Sequence, residues 1–155
     1  AALEAGCDSC HVAPHADPKK ATLSLKTNQP GLCYSCHTAF SNQGLHPALE
    51  AVSCTECHNP HASAYAKLAK TNVTALCATC HDKEPSGRHI MAGKLSSTHP
   101  VSGAYNPLKP GTGFSCVACH NPHQSANPRL LTTPRLVGPD RCDACHLKVN
   151  AAALP

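Results

Sequence analysis

Apolar residues occur in short, interrupted runs along the chain, and none of these runs keeps a helical or strand period for long. Fourteen prolines and nine glycines break most windows of the sequence, and no alternation of apolar and polar residues lasts long enough to predict a strand. Residues 62–70 have an amphipathic pattern that predicts a short packing helix without a chemical role. The pattern therefore predicts a mostly irregular chain with a few short α-helices.

The apolar side chains are too small to build an ordinary core. They make up 41% of the chain, but much of that fraction is alanine and cysteine, with three tyrosines, two phenylalanines and no tryptophan. Large apolar side chains normally supply most of the buried area that offsets the entropy of the chain. Something other than side chains must therefore fill the interior. No run approaches the roughly 20 apolar residues of a membrane span, so no membrane-spanning helix is predicted.

The twelve cysteines fall into six C-x-x-C pairs, and a histidine follows each pair directly. C-x-x-C-H is the attachment signature of c-type haem. A helical turn at each motif would bring the imidazole beside both thiols, so that the thiols form thioethers with the haem vinyl groups while the imidazole binds the iron. The six motifs are Cys7/Cys10 with His11, Cys33/Cys36 with His37, Cys54/Cys57 with His58, Cys77/Cys80 with His81, Cys116/Cys119 with His120, and Cys142/Cys145 with His146.

Two other uses of twelve cysteines explain the sequence less well. A disulfide scaffold is common in small exported chains, but it gives no reason for a histidine after every pair. Zinc knuckles need paired C-x-x-C segments and do not need a histidine directly after each one. The sequence therefore predicts six covalently bound haem c groups, whose porphyrins pack the interior.

Six histidines remain outside the motifs, one for each predicted iron. Five of them adjoin a proline, which restricts the backbone and lowers the entropy lost when an imidazole is held on a metal. Any single one would ordinarily be interpreted as a surface turn histidine, but the match of six ligands to six irons favours bis-histidine coordination. The single methionine, Met91, could in principle replace His89 as a ligand, but a packing or loop role is favoured for it. The predicted distal ligands are His15, His46, His61, His89, His99 and His123.

A longer repeat includes these motifs. Residues 54–61 read CTECHNPH, residues 116–123 read CVACHNPH, and residues 7–15 match them with one insertion. A plainer C-x-x-C-H follows each of these segments about 20 residues later. The repeat predicts one hexahaem domain over residues 1–155, made of three two-haem units in a row at about 1–44, 45–97 and 98–155.

The spacing also predicts which histidine serves which haem. His61 follows His58 by three residues, so a helix would place both on one side, and His61 could not reach round the porphyrin to the same iron. Repeat logic gives each upstream His-Pro histidine to the first haem of its pair and each Pro-His histidine to the second. The former are His46 and His99, and the latter are His15, His61 and His123. This leaves His89 for the Cys7/Cys10 haem, either within the chain or across a subunit boundary.

The doubled C-x-x-C-H arrangement resembles the repeat of multihaem cytochromes c. The likeness is strict over residues 45–83 and 98–148, and looser over residues 3–40, where Val-Ala-Pro-His replaces Asn-Pro-His and no upstream His-Pro occurs. Proteins with this repeat act in bacterial and archaeal respiratory electron transfer, in the periplasm or outside the cell, and some polymerise into filaments. The resemblance implies an exported electron carrier.

Complete axial ligation predicts electron transfer rather than catalysis. With two histidines on each iron no position stays open for a substrate, whereas a haem reductase of nitrite or hydroxylamine needs a five-coordinate iron. Histidine pairs also lack the potential-raising effect of a methionine ligand, which predicts low potentials. A protein whose haems serve only as core material is a further alternative. The chain is therefore predicted not to be an enzyme.

The net charge and the number of available iron ligands both indicate which partners the protein binds. The formal charge of +4 falls to about −2 in the oxidised protein and about −8 in the reduced protein once six haems with their propionates are added, so nucleic-acid binding is not expected. Redox proteins or extracellular electron acceptors are the expected partners. The unserved first haem favours an extracellular, filament-forming subunit that contacts further copies of itself. A freely diffusing periplasmic shuttle is the alternative.

Overall fold

The computed structural model describes residues 2–12, 24–82 and 100–132. Within these ranges the regular structure consists of short helices, and β pairing occurs only as isolated bridges. The α-helices are α1 Gly31–Tyr34, α2 Ala48–Ala51, α3 Cys54–Cys57 and α4 Val73–Ala78. The 3-10 helices are Ala2–Ala5, Cys7–Ser9, Ala66–Leu68, Cys116–Ala118 and Pro128–Leu130. The predicted fold class, mostly irregular with short helices, is confirmed.

Each C-x-x-C-H motif in the described ranges is a single helical turn. In all five, the backbone N–H of the histidine donates to the carbonyl of the first cysteine at 2.9 to 3.0 Å. In the third motif the turn is α3, and it ends at His58, which is extended with φ −115° and ψ 145°. Residues i, i+3 and i+4 of a helical turn share one face, so both thiols and the imidazole lie together as predicted. The sixth motif, residues 142–146, lies outside the described residues.

The helix predicted over residues 62–70 does not form, and a loop takes its place. Tyr65 is extended, with φ −102° and ψ 148°, and Lys67 has a left-handed backbone with φ 59°. The hydroxyl of Ser63 accepts a hydrogen bond from the Tyr65 N–H at 2.9 Å and donates one to the carbonyl of Ala69. Such bonds from a side chain to the backbone compete with helix formation. The helix prediction is therefore wrong.

After α3 the chain turns through this loop and comes back beside the motif. We call residues 58–70 the third return loop, after the motif that it follows. The Asn59 N–H donates to the carbonyl of Leu68 at 2.8 Å, and the Lys70 N–H donates to the carbonyl of Cys57 at 2.9 Å. These two backbone bonds close the loop on the attachment turn itself.

The fifth motif carries the same structure, the fifth return loop, over residues 120–132. The Asn121 N–H donates to the carbonyl of Leu130 at 2.7 Å, and the Thr132 N–H donates to the carbonyl of Cys119 at 2.9 Å. The bonds connect the same positions as in the third return loop. The sequence repeat is therefore also a repeat of backbone conformation.

The first motif is closed by the same kind of backbone hydrogen bond. The return loops also contain the buried apolar residues of the described ranges. The Lys26 N–H donates to the carbonyl of Cys10 at 2.9 Å. Ala69 and Leu131 occupy the same position in the third and fifth return loops and are 5% and 3% exposed. They are the buried apolar residues of the described ranges, where no large side chain is fully buried. Side chains alone therefore supply little core there, as the composition predicted.

The chain divides into two compact units, Ala1–Phe40 with Pro47–Asn72 and Ser41–His46 with Val73–Pro155. In the first unit, one amide side chain joins the segment before α1 to α3. The Gln29 Nε2 donates to the Thr55 Oγ1 at 3.1 Å, and the Thr55 N–H donates to the Gln29 Oε1 at 3.2 Å. These bonds bring the second and third attachment turns together. The single domain inferred from the sequence stays a prediction.

In the second unit, residues 41–46 form a strap that lies on the fifth return loop. The Ser125 N–H donates to the carbonyl of Gly44 at 2.9 Å, and the His46 N–H donates to the carbonyl of His123 at 2.8 Å. Gly44 has φ 63° and lies so close to the loop that a Cβ atom would be 1.8 Å from the Ser125 carbonyl oxygen. The close approach therefore requires glycine.

Candidate metal centres

Every described attachment turn presents thiols that solvent can reach. Each of the ten cysteines in the described ranges is exposed or half-buried. In the second, third and fourth motifs the first cysteine is half-buried and the second is exposed. Thiols placed in this way can react with the vinyl groups of an incoming haem, so the attachment turns fit thioether formation.

The second motif shows most clearly that side chains do not enclose the predicted haem-binding residues. Cys36 and His37 are both exposed. The first cysteine of the turn, Cys33, is half-buried and contacts Cys54 of the neighbouring motif. The hydroxyl of Ser35 lies 3.8 Å from the Cys36 Sγ. The roles of Cys36 and His37 in haem binding stay a prediction.

A cavity of about 250 Å³ with a lining of both apolar and polar residues adjoins Cys54 in the first unit. Its lining includes Tyr34, Phe40, Leu49 and Val52. The rings of Tyr34 and Phe40 meet edge to face, with centroids 6.0 Å apart and planes at 84°, which is a favoured aromatic arrangement. An apolar wall beside an attachment cysteine suits the edge of a flat porphyrin.

The return loops fix the orientation of two motif imidazoles. The Nδ1 of His58 lies 3.0 Å from the carbonyl oxygen of Lys67, and the Nδ1 of His120 lies 2.8 Å from the carbonyl oxygen of Arg129. A carbonyl can only accept, so each Nδ1 carries the proton and donates. The Nε2 is then the unprotonated nitrogen, which is the form that binds a metal. Both imidazoles are therefore prepared as Nε2 ligands.

Left-handed residues supply these carbonyls. Lys67 and Arg129 have φ of 59° and 57°, which is uncommon for residues with a side chain. The sequence analysis missed this role, because residues 62–70 were interpreted as a packing helix. The signal that could have revealed it is a serine followed four residues later by a basic residue and leucine, present as Ser63, Lys67 and Leu68 and again as Ser125, Arg129 and Leu130.

The asparagine of each Asn-Pro-His segment holds the histidine that follows it. The Asn59 Oδ1 accepts a hydrogen bond from the His61 N–H at 3.1 Å, and the Asn121 Oδ1 accepts one from the His123 N–H at 3.0 Å. This is an Asx turn, which asparagine forms readily. The backbone of the predicted distal ligand is therefore fixed by a residue that the sequence analysis did not single out.

Two of the predicted distal histidines lie opposite a motif histidine. In the first unit, the ring centroids of His11 and His61 are 5.9 Å apart, with planes at 15°. In the second unit, those of His46 and His81 are 6.1 Å apart, with planes at 58°. Repeat logic had assigned His61 to the fourth haem and His46 to the third. The chain is extended at His58, so the helical turn that the sequence analysis assumed between His58 and His61 does not form.

Electrostatics favour a neutral imidazole at one of these positions. Burial lowers the pKa of His46 below its ordinary value, and the neighbouring His81 lowers it further. A neutral imidazole has a nitrogen lone pair available, which a metal ligand requires.

The first cysteines of successive motifs meet in each unit. Burial, and then a hydrogen bond with Cys54, raise the pKa of the Cys33 thiol to about 11. A hydrogen bond from Cys77 lowers the pKa of the Cys116 thiol to about 6 against the opposing effect of burial, and Thr74 lowers it further. α4 also packs against the 3-10 turn of the fifth motif. The second attachment point is thus beside the third, and the fourth beside the fifth.

Six of the predicted site residues lie outside the described residues. They are His15, His89, His99, Cys142, Cys145 and His146. Among the residues that the structure does describe, no helix is long and apolar enough to cross a membrane.

Comparisons with known proteins agree with these observations. The sequence profile of the doubled CXXCH motif family matches residues 1–42, 46–86 and 107–151. The chain is also 32% identical over 139 residues to the multiheme cytochrome MtrA of Shewanella baltica (strain OS185), an alignment that covers 88% of this chain and 37% of that protein. The chain thus spans little more than a third of the length of this relative.

Proposed function

Because this chain belongs to the multihaem c-type cytochromes with doubled CXXCH motifs, we propose that it transfers electrons along six closely spaced, low-potential bis-histidine haems. The observation that carries the proposal is the pairing of motif histidines with outside histidines at 5.9 and 6.1 Å. Each C-x-x-C-H would hold one haem through two thioethers and one imidazole. All six motifs and six further histidines are present in the sequence.

The haems would supply the one-electron redox couple, and the chain's own residues would hold and orient them. The two cysteines of each turn would anchor the macrocycle as thioethers. The return loops keep the proton on the Nδ1 of His58 and His120, which leaves the Nε2 of each for iron. The scarcity of buried large side chains in the described ranges supports a fold in which cofactors contribute the interior surface.

Close spacing is supported by the contacts between attachment turns. Cys33 is hydrogen-bonded to Cys54 in the first unit, and Cys116 to Cys77 in the second. Haems attached at neighbouring thiols have macrocycle edges near one another, which electron transfer between them requires. In this proposal, electrons move between haems of adjacent sequence units as well as within one unit.

The same reasoning bears on assembly and on catalysis. The predicted filament depended on a first haem without a ligand of its own and on His89 as the spare histidine. If His61, which lies beside His11, serves the first haem and His46 the fourth, the haem without an assigned histidine becomes the third and His89 stays the spare. We propose an exported carrier that exchanges electrons with redox proteins or extracellular acceptors, a function that does not itself require a polymer. Two histidines per iron also leave no open position, so no catalysis at haem is proposed.

Mass and spectra of the purified protein test this function. The intact mass should exceed that of the polypeptide by six haems, reducing agents should release none of them, and all irons should be low-spin. A mass equal to the bare chain would end the proposal. Electron micrographs at native concentration should show particles, and filaments would restore the polymer.

A further inference from the structure

Two pairs of histidine rings lie close together within the described ranges. They are His11 with His61, and His46 with His81. Each pair joins one histidine of a C-x-x-C-H motif to one of the six that remain. The two pairs belong to different units and come from different kinds of segment, since His61 follows a motif and His46 precedes one. The same relation therefore arises twice, independently.

The separation of the rings fits two imidazoles on opposite faces of one iron. With a metal–imidazole bond of about 2.0–2.1 Å, as for zinc, and about 1.2 Å from ring nitrogen to ring centre, the two centroids are about 6.4 Å apart. The observed 5.9 and 6.1 Å agree with this value to within about 0.5 Å. Stacked rings span a similar range of about 4.5–7 Å, so the identity of the partners carries the assignment together with the distance.

The backbone holds both members of the first pair. The His61 N–H donates to the Asn59 Oδ1 at 3.1 Å, and Pro60 limits the backbone between them. The His11 N–H donates to the carbonyl of Cys7 at 2.9 Å. Backbone hydrogen bonds therefore fix both of the segments that carry these rings.

The second pair is held in the same manner. The His46 N–H donates to the carbonyl of His123 at 2.8 Å, and the His81 N–H donates to the carbonyl of Cys77 at 2.9 Å. Gly44, with φ 63°, brings the strap onto the fifth return loop two residues before His46. The strap therefore places the imidazole of His46 beside the attachment turn of the fourth motif.

We infer that His61 is the axial partner of His11 on the first haem, and that His46 is the axial partner of His81 on the fourth, with haems numbered by motif. The inference rests on the proposed function. It replaces the pairing by repeat logic, which gave His61 to the fourth haem and His46 to the third. It also takes the second ligand of the first haem iron from the first compact unit, so His89 is not needed as a ligand of that iron.

The spin state of the haem-loaded protein tests each assignment. His61→Ala should convert one low-spin haem of six to high-spin and allow the reduced protein to bind one carbon monoxide, where the parent binds none. His46→Ala should do the same. These single variants show that each histidine is a ligand, and the iron that each one serves is found by combining them with the loss of a chosen haem.

Removing one haem at a time identifies the iron. In a protein without the first haem, made by Cys7→Ala with Cys10→Ala, His61→Ala should add no high-spin haem while His46→Ala still adds one. In a protein without the fourth haem, made by Cys77→Ala with Cys80→Ala, the two results should be exchanged. The two backgrounds are matched controls for each other.

The opposite pattern overturns the inference. If His61→Ala adds a high-spin haem to the background without the first haem but not to the one without the fourth, repeat logic is right. If the double-cysteine variants do not mature, the density of the loaded parent shows the ligand pairs directly, and His61 on any iron but the first refutes the assignment. Six low-spin haems with other pairs defeat this inference alone, whereas a chain without haem defeats the proposed function.

Discussion

The strap at residues 41–46 depends on a single glycine, which makes it open to a sharp test. A Cβ atom at Gly44 would lie 1.8 Å from the carbonyl oxygen of Ser125 and 2.7 Å from its carbonyl carbon. Both atoms belong to the backbone, so no side-chain rotation can relieve the contact. Gly44→Ala must therefore displace the strap from the fifth return loop or strain both segments.

The expected loss of stability has two sources. A residue with a side chain in the left-handed region costs about 1–2 kcal/mol, and forcing an extra carbon into an occupied space costs about 1–3 kcal/mol. We therefore expect Gly44→Ala to lower the free energy of unfolding by about 2–5 kcal/mol. Gly111→Ala is the matched control, because Gly111 has φ 82° and a Cβ there meets nothing within 4 Å in the described structure. It should lose only about 1–2 kcal/mol.

Denaturant unfolding of the two loaded variants measures the difference. The midpoint for Gly44→Ala should lie below that for Gly111→Ala with an unchanged slope. Because the displaced strap also carries His46, Gly44→Ala should in addition show one high-spin haem, and Gly111→Ala should show none. Equal midpoints and wholly low-spin spectra for both variants would refute the reasoning about the strap.

Three further predictions concern the return loops and the ligand set. Asn59→Ala should lower the free energy of unfolding by about 1 kcal/mol, since the His61 N–H loses its acceptor. Asn59→Asp keeps an acceptor oxygen and should lose less. Equal losses in denaturant unfolding of the two variants would speak against the Asx turn. Lys67→Gly should raise the free energy of unfolding by about 1 kcal/mol, because glycine adopts the left-handed backbone without the steric cost of a Cβ atom. Lys70→Gly, the control, should not raise it. A rise in the free energy of unfolding for both variants, or for neither, contradicts this prediction. The reduced parent protein should bind no carbon monoxide in a spectroscopic titration, and stoichiometric binding would reveal an open iron.

The attachment turns could be predicted because their chemistry is local. Two thiols and an imidazole must reach one macrocycle from a few consecutive residues, and a helical turn is the short conformation that allows it. The doubled repeat could also be predicted, since it is a direct similarity between segments of the sequence. The mostly irregular fold followed from the distribution of proline and glycine, which leaves little room for long helices.

The return loop and the ring pairs could not be obtained in this way. The amphipathic pattern of residues 62–70 predicts a helix, but the hydroxyl of Ser63 and the left-handed backbone at Lys67 determine the conformation. Likewise, repeat logic assumes that ligand and haem are neighbours along the chain. His11 and His61 come together through tertiary contacts between distant segments, and one sequence contains no local signal for such a contact.

In the third and fifth return loops, a backbone carbonyl orients the imidazole, so the side chain of the residue that offers it takes no part. Lys67 and Arg129 carry these carbonyls, and both are exposed. A charge at either position can therefore be removed or reversed while the carbonyl that orients the imidazole is kept. If haems bind as proposed, surface substitutions at these two positions would change the charge beside an iron, and so its reduction potential, without a change of ligand.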